Sequence, residues 1–407
     1  MTQNKALEIL QTGANVFLTG EPGAGKSHTI GLFIKWLNKE NKEYAITAST
    51  GIAASHIDGK TIHSWSGLGI RRGLDKQALE GIGRNHWLRQ KIKPVKVLVI
   101  DEISMLDAVV VNDISHILQE VHNNKKPFGG IQIVFVGDFF QLPPVVKGNE
   151  DRRFAFESEA WITANPQVCY LTEQHRQSDG VFLEILSAMR SGSVSEAHKA
   201  TLAACQNNSV PETRLFTHNA DVDRLNNDML AKLSGKPHEY RMLEWGEPRL
   251  IETLKRNCIS PEKLVLKEGA VVMFTRNNFD AGYCNGSIGK VTGFSKGGDP
   301  IIKLQSGITV RPELAEWSWT QKREVKAYIR QIPLKLAWAV TVHKSQGMSL
   351  DSAAIDLTSV FEFGQGYVAI SRVRTLAGLC LRGLNDNVFM MHPKVVAQDI
   401  IFKEKGI

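Results

Sequence analysis

Apolar positions along the first 175 residues follow two periods, which together predict a parallel sheet covered by helices. The run at 97–100 is continuously apolar, as expected of a strand that is buried on both of its faces. Ile30, Phe33 and Leu37 instead recur at the spacing of one helix face. Because strands and amphipathic helices alternate in this way, the sequence predicts an α/β domain over residues 1–175.

Two interruptions divide the chain further. The alternation lapses at 61–94, where glycines and basic residues replace buried runs, so we expect a small subdomain that leaves the core. Short strands separated by Gly and Asn turns fill 264–332, which predicts a small β-barrel. This barrel is inserted in a second α/β domain that covers 176–263 and resumes over 333–407.

A glycine-rich loop between a strand and a helix carries the first chemical signal. Residues 20–27 read GEPGAGKS and fit the phosphate-loop pattern G-x-x-x-x-G-K-[ST]. The glycines let the backbone curl, so that successive N–H groups and the helix N-terminus can face a phosphate. Lys26 would reach the β- and γ-phosphates of ATP, and the Ser27 hydroxyl would hold Mg²⁺. The expected nucleotide contacts are Gly23, Ala24, Gly25, Lys26, Ser27 and His28.

Two further strand ends complete the predicted nucleotide site. Asp101 ends the continuously apolar run, where a carboxylate can hold Mg²⁺ beside Ser27 of the loop. Glu102 comes next and is placed to orient or deprotonate the attacking water. Gln141 follows a strand predicted at 131–136. Its amide can both donate and accept hydrogen bonds, which suits the sensing of a γ-phosphate.

Polar clusters also occur far from the loop, at 341–347 and 366–374. A single-domain NTPase does not need them. An ATPase whose site lies between two domains can instead use a positive charge from the second domain as an arginine finger. Arg372 and Arg176 are the candidate fingers, and the alternative for any one arginine is a surface salt bridge.

Composition limits the class of protein. The 407 residues are 43% hydrophobic and 22% charged, as in ordinary globular proteins. The net charge of +7 and the pI near 9.0 are consistent with a polyanionic partner. Five scattered cysteines without a C-x-x-C pair predict reduced thiols, not a disulfide or zinc framework. Since no apolar run reaches transmembrane length, we expect a cytoplasmic protein without a membrane partner.

Taken together, the motifs resemble those of the Pif-type DNA helicases of superfamily one, subgroup B, over essentially the whole chain. Beyond the phosphate loop and Asp101, the segments that carry the resemblance are 48–54, 59–64, 126–132, 137–144, 175–177, 341–347 and 367–374. The resemblance implies two RecA-like domains with ATP in the cleft between them, a wedge subdomain at 61–94 and an SH3-like barrel at 264–332. It also implies an ATP-dependent helicase that moves 5′ to 3′ on single-stranded DNA and unwinds tailed or forked duplexes.

The same resemblance assigns roles to individual residues. Gln3 would read the adenine of ATP, and Gln346 and Gly347 would add contacts to the nucleotide. Single-stranded DNA would lie across both RecA-like domains, held mainly through its backbone. The expected DNA contacts are Thr50, Gly51, His63, Ser64, Phe140, Pro143, Thr217, Asn219, His343 and Lys344. Either Phe140 or Trp65 could stack on a base, and core packing is the alternative for both rings.

Two other functions stay open at this point. A DNA-dependent translocase, such as the motor subunit of a recombination nuclease without intrinsic unwinding, would carry the same core motifs. A basic nucleic-acid-binding protein with a relic NTP site is the non-enzymatic alternative, and the intact Lys26, Asp101 and Glu102 argue against it. We expect a monomer, with G-quadruplexes and RNA–DNA hybrids as further candidate substrates.

Overall fold

Two parallel sheets and an antiparallel insert make up the architecture of this chain, seen in a computed structural model. The residues that the structure describes are 1–57, 59–69, 71–144, 152–174, 179–216, 222–278, 280–321, 324–342 and 350–406. The predicted fold class is confirmed: an α/β protein with two RecA-like domains, a small wedge subdomain in the first and a small SH3-like barrel inserted in the second.

Helices and strands alternate through the first domain. Its elements are α1 (Gln3–Gln11), β1 (Val16–Gly20), α2 (Lys26–Lys39), β2 (Tyr44–Ala48), α3 (Gly51–His56), β3 (Lys60–Thr61), α4 (Ile62–Ser66), α5 (Lys76–Arg84), α6 (His86–Ile92), β4 (Val97–Asp101), α7 (Ala108–His122), β5 (Gln132–Val136), α8 (Glu159–Ala164) and β6 (Gln167–Leu171).

The first sheet has the strand order β3-β2-β4-β5-β1-β6, and all its pairs are parallel. Successive residues of β1 point into different cores, because Val16 and Leu18 pack in the cluster that holds Phe33 of α2, whereas Phe17 meets Trp161 at 5.0 Å. Burial on both faces explains the continuous apolar runs of the sequence. Since all strands are parallel, the loops after β1, β4 and β5 lie at one edge of the sheet.

The segment in which the alternation lapses is helical and contains α4, α5 and α6. It is fixed to α7 by carboxylates of that helix and its cap. Asp113 accepts hydrogen bonds from the N–H groups of Gly73 (2.7 Å) and Leu74 (2.9 Å), and Asp107 pairs with Arg72 at 2.7 Å. The segment thus consists of helices that pack against α7, and α4 also contacts β2 and β3, which is why the segment lacks buried-strand runs.

The second domain has a smaller parallel sheet of order β18-β7-β19-β20. Before the insert it contributes α9 (Gly180–Ser191), α10 (Glu196–Ala204), β7 (Arg214–Phe216) and α11 (Val222–Lys232). The insert contains β8 (His238–Arg241), β9 (Leu243–Gly246), α12 (Pro248–Asn257), β10 (Lys263–Leu266), β11 (Val271–Phe274), β12 (Ile288–Phe294), β13 (Pro300–Leu304), β14 (Thr309–Val310), β15 (Ala315–Gln321), β16 (Glu324–Gln331) and β17 (Leu334–Leu336). The chain then returns with β18 (Ala339–Thr341), β19 (Ala353–Leu357), α13 (Gln365–Ile370), β20 (Leu379–Leu384) and α14 (Pro393–Lys405).

Strands of the insert begin before residue 264, where the sequence analysis placed its start. β8 pairs with β10, and β9 pairs with β16, both antiparallel. All four residues of β9 are exposed, and the strand is only four residues long, so its pattern in the sequence is a weak signal. We therefore propose 238–336 as the bounds of the insert.

The last helix, α14, packs against the first sheet, although the sequence analysis assigned 333–407 to the second domain. Its Phe402 lies 4.9 Å from Phe17 of β1, measured between ring centroids, and also contacts Phe139 and Trp161. This aromatic cluster covers one face of the first sheet. We propose that the second domain ends before α14.

Two findings relate to the predictions about membrane segments and cysteines. None of the helices among the described residues is long and apolar enough to cross a membrane. Each of the five cysteines is a free thiol, and Cys169, Cys205 and Cys380 are buried.

Candidate nucleotide site and nucleic-acid interface

The loop between β1 and α2 has the backbone of a phosphate cradle. Gly23 (φ 91°) and Gly25 (φ 86°) have left-handed conformations that favour glycine. Gly25 caps α2 without a side-chain hydrogen bond, which leaves the first turn of the helix to an anion. At Gly20, a Cβ atom would lie 2.6 Å from the carbonyl oxygen of Leu171, so no other residue fits there without a shift.

Polar side chains surround this loop. Lys26 donates from Nζ to the carbonyl oxygens of Gly20 (2.7 Å) and Glu21 (3.1 Å), so its amine lies inside the loop. Gln3 Oε1 lies 2.8 Å from His28 Nδ1, which brings together two residues predicted to contact the nucleotide. The contacts of these residues with ATP stay predictions.

Asp101 ends β4 and Glu102 follows it, at the same edge of the sheet. Asp101 Oδ1 accepts a hydrogen bond from the N–H of Glu102 at 2.8 Å. Burial, followed by the charge of Glu102, raises the pKa of Asp101 to about 7. Glu102 has a left-handed backbone (φ 51°, ψ 47°), a conformation that costs a non-glycine residue about 1–3 kcal/mol and is typical of functional sites.

The donors near the loop fit Mg²⁺ held mainly by phosphate and water. Ser27, in the first turn of α2, offers a hydroxyl, and Asp101 offers a carboxylate. Among the described residues, no cluster of three or more His, Cys, Asp or Glu side chains could hold a metal ion alone. A protein-only metal cage is therefore not part of this site as far as the structure describes it.

Buried oxygens without a hydrogen-bond partner in the described structure collect at this edge of the sheet. They belong to Ser49 after β2, Ser104 after β4, Gln141 after β5 and Gln174 after β6. Buried polar atoms are almost always paired, so such a group points to a polar ligand or ordered water. The amide nitrogen of Gln141 is 3.5 Å from Asp138 Oδ2, which leaves its oxygen for that purpose.

Arg372 of the second domain follows α13 in the chain and is buried, with 1% of its surface exposed. Its Nε donates to the carbonyl oxygen of Val368 (2.9 Å) and its Nη2 to Ser371 Oγ (3.1 Å). No carboxylate of the described residues forms an ion pair with it. Burial lowers the pKa of Arg372, while the nearby charge of Glu102 opposes this shift. A desolvated cation without a counterion beside Glu102 suits an anionic ligand.

Several predicted site residues lie outside the described residues, and their roles stay predictions. They are Arg176, Thr217, Asn219, His343, Lys344, Gln346 and Gly347.

Four predicted DNA contacts lie on two short helices of the first domain. Thr50 caps α3 by accepting from the N–H of Ala53 at 3.2 Å, and Gly51 is the first residue of α3. His63 and Ser64 lie on α4, where Ser64 is exposed. The insert reaches these elements, because α12 packs against α3. Their contacts with DNA stay predictions.

The aromatic residues considered for base stacking are buried. Trp65 is 5% exposed and Phe140 is 4% exposed. The guanidinium of Arg190 lies 4.3 Å from the centre of the Phe140 ring, so one face of that ring is covered. Pro143 is buried as well. The structure therefore favours core packing over base stacking for both rings.

Sequence analysis missed Arg190 and Asp138, which form a buried ion pair at 2.8 Å next to Gln141. The available signal was the helical spacing of 180–190, which places residue 190 near the buried Leu186. An arginine at that position is surprising in a core and would have been a reason to search for a partner.

A phosphate loop, a carboxylate pair at the end of β4 and a buried arginine in the second domain are the features of a phosphate-loop NTPase. A family model described as PIF1-like helicase matches residues 3–200, and one described as DNA helicase Pif1, 2B domain, matches 249–294. The chain is 41% identical to the ATP-dependent DNA helicase Pif1 of Psychrobacter sp., over 100% of this chain and 71% of that relative. The chain belongs to the PIF1-like helicase family.

Solved structures agree with this assignment. The structure of Bacteroides sp. Pif1 in complex with ADP-AlF4 is 29% identical, with a TM-score of 0.86 over 99% of this chain and 97% of that one. Bacteroides Pif1 with ADP-AlF3 and single-stranded DNA covers the same shares at 28% identity, with a TM-score of 0.68. The chain is thus closer in shape to the first of these two complexes than to the one with DNA.

Proposed function

We propose that this PIF1-like helicase hydrolyses ATP between its two RecA-like domains and uses the cycle to move 5′ to 3′ along single-stranded DNA. Unwinding of tailed or forked duplexes ahead of it would follow from that movement. The observation that carries the proposal is the buried guanidinium of Arg372 in the second domain, which has no carboxylate partner among the described residues and whose charge interacts with that of Glu102 at the edge of the first sheet. The 5′-to-3′ direction rests on the family resemblance alone.

Each residue of the site has a place in the hydrolysis step. The loop N–H groups and Lys26 would bind the phosphates of ATP, and Mg²⁺ at Ser27 and Asp101 would neutralise charge on them. Glu102 would orient the attacking water and accept its proton. Gln141 has a buried oxygen without a partner in the described structure, which supports contact with the same water. Arg372 would stabilise the phosphoryl charge from the other side of the cleft.

Movement would follow from the difference between the ATP-bound and ATP-free cleft. ATP binding would draw Arg372 onto the γ-phosphate, and hydrolysis would remove that contact and let the cleft open. DNA held at Thr50 and His63 on the first domain and at His343 and Lys344 on the second would then advance in small steps. Hydroxyl, amide and imidazole contacts to phosphates fix position without reading sequence.

The other functions have less support. A motor subunit that does not unwind would share these motifs, but the Psychrobacter relative that aligns over the whole of this chain is described as an ATP-dependent DNA helicase. A relic site would not need buried, unpaired polar atoms at four strand ends. We also propose that the protein acts as a monomer and that G-quadruplexes are among its substrates.

Unwinding of matched duplexes tests the function. One duplex carries a 5′ single-stranded tail and the other carries a 3′ tail of the same length and sequence. With ATP, only the 5′-tailed duplex is expected to separate. ATP hydrolysis stimulated by DNA without separation of either duplex would favour the translocase, and separation of the 3′-tailed duplex alone would contradict the direction.

Glu102→Gln is expected to keep ATP binding and slow hydrolysis by roughly 10² to 10⁴, the usual contribution of a positioned general base. Glutamine has the same shape but cannot accept the proton from water. The measurement is the single-turnover hydrolysis rate, with nucleotide affinity determined separately. Glu80→Gln, on an exposed face of α5, is the matched control and should hydrolyse at the wild-type rate. Near wild-type turnover of Glu102→Gln would show that another group is the base.

A further inference from the structure

Arg190 of α9 is buried between the two domains, with 3% of its surface exposed. Its Nη1 forms an ion pair with Asp138 Oδ2 at 2.8 Å, and its Nη2 donates to the hydroxyl of Tyr170 at 2.6 Å. The hydroxyl of Tyr367 lies 3.4 Å from Nη1. Asp138 and Tyr170 belong to the first domain, whereas Tyr367 lies on α13 of the second. Arg190 therefore joins both sides of the cleft.

Asp138 in turn shapes the turn that carries Gln141. Its Oδ1 accepts from the N–H of Phe140 (3.2 Å), and its carbonyl oxygen accepts from the N–H of Gln141 (3.0 Å). The side-chain nitrogen of Gln141 is 3.5 Å from Asp138 Oδ2, the oxygen that pairs with Arg190. The position of the Gln141 amide thus depends on the orientation of Asp138, which Arg190 holds.

The second domain also packs closely against the turn that carries Gln141. Gly364, at the start of α13, has φ 73°, and a Cβ atom there would clash with the carbonyl oxygen of Phe140 and lie 3.0 Å from that of Gln141. The same helix carries Tyr367, and its Val368 accepts from Arg372 Nε at 2.9 Å. The two arginines, one near Gln141 and one near Glu102, are therefore held by a single short helix.

We propose that Arg190 is a positioning residue for ATP hydrolysis: through Asp138 it places the Gln141 amide, and through Tyr367 it ties that placement to the helix that holds Arg372. The inference rests on the proposed role of Gln141 in the reaction. The closest polar partners of Arg190 among the described residues are the side chains of Asp138, Tyr170 and Tyr367, and it acts through them.

A guanidinium is required for these contacts. Arginine presents five donors in a planar fork, so it can bind Asp138 and two tyrosine hydroxyls while its face covers Phe140. Lysine carries the same charge on a single ammonium and cannot keep this geometry. Arg190→Lys therefore keeps a positive charge next to Asp138 but no longer fixes the orientation of the Asp138 carboxylate.

A double-mutant cycle with Gln141→Ala tests the proposal. Arg190→Lys alone is expected to lower kcat for DNA-stimulated ATP hydrolysis roughly 10- to 100-fold, with KM for ATP changed much less. In the Gln141→Ala background, the same substitution should change kcat by less than about twofold, because the group it positions is already absent. Melting curves of all four proteins are recorded, and rates are measured well below the lowest melting temperature.

Arg152→Lys is the matched control. Arg152 also connects to the second domain, through a bidentate ion pair with Glu362 at 2.7 and 2.8 Å, but no hydrogen bond or ion pair among the described residues joins it to Asp138 or Gln141. Its effect on kcat should be small and equal in both backgrounds. If Arg190→Lys does not fold, Tyr170→Phe replaces it, since this change removes one hydroxyl, which accepts from Arg190 at 2.6 Å and donates to Asp399 at 3.2 Å.

The outcomes separate the inference from the function on which it rests. A loss of kcat that disappears in the Gln141→Ala background supports positioning. Equal losses in both backgrounds show that Arg190 only stabilises the fold and overturn the inference. Wild-type hydrolysis by Gln141→Ala alone overturns the proposed role of Gln141 and the inference together.

Discussion

Lys26→Ala is expected to reduce ATP hydrolysis to background while the affinity for single-stranded DNA in the absence of nucleotide stays near that of the wild type. The Lys26 amine lies inside the loop, 2.7 Å from the carbonyl oxygen of Gly20, where a phosphate would replace its backbone partners. A fixed cation at the transferred phosphoryl group is worth on the order of 10³ in rate. The predicted DNA contacts Thr50 and His63 lie on other helices, so their geometry does not depend on Lys26.

Steady-state hydrolysis with saturating DNA, together with DNA binding measured by fluorescence anisotropy, tests this separation. Lys35→Ala is the control, because Lys35 lies on the same helix α2 and is exposed. That variant should behave as the wild type in both assays. If Lys26→Ala also loses DNA affinity to a comparable extent without nucleotide, the phosphate and DNA sites are not separate.

The elements around the loop could be predicted because their signals are local. The run that ends at Asp101 appears as β4, and the helical spacing after the loop appears as α2. The helical spacing of apolar residues at 180–190 falls on α9, which ends one residue later. A strand buried on both faces and a helix buried on one leave periodic patterns within about ten residues of sequence. These local patterns are the reason that the fold class could be predicted from the sequence.

The contacts between distant segments could not be predicted in the same way. Arg190 and Tyr367 are 177 residues apart, and no periodicity shows that their side chains meet. The burial of Phe140 also depends on a distant residue, since Arg190 covers its ring. α14 has only a weak amphipathic pattern in its sequence, and its packing against the first sheet rests on the aromatic cluster around Phe402. Tertiary packing determines these contacts, and the patterns of a single sequence carry no information about it.

Arg372→Met is expected to lower DNA-stimulated ATP hydrolysis by a factor on the order of 10³ or more, the worth of an arginine finger. The structure adds an expectation for stability. Burial lowers the pKa of Arg372, which means that the fold disfavours the charge that this residue carries at neutral pH. No carboxylate of the described residues pairs with it, so its removal leaves no buried anion behind. The nucleotide-free variant should therefore melt at or above the wild-type temperature.

Melting curves without and with ADP plus aluminium fluoride, beside steady-state hydrolysis, test both expectations for Arg372→Met. The ligand should stabilise the variant less than the wild type, because the finger contact is missing. Arg374→Met is the matched control, since Arg374 is partly exposed and pairs with Asp351 at 2.9 Å, and surface pairs of this kind contribute little. On the motif alone, Arg176→Ala should show the same loss of rate. Wild-type hydrolysis by folded variants of both Arg372 and Arg176 would mean that the second domain does not complete the site.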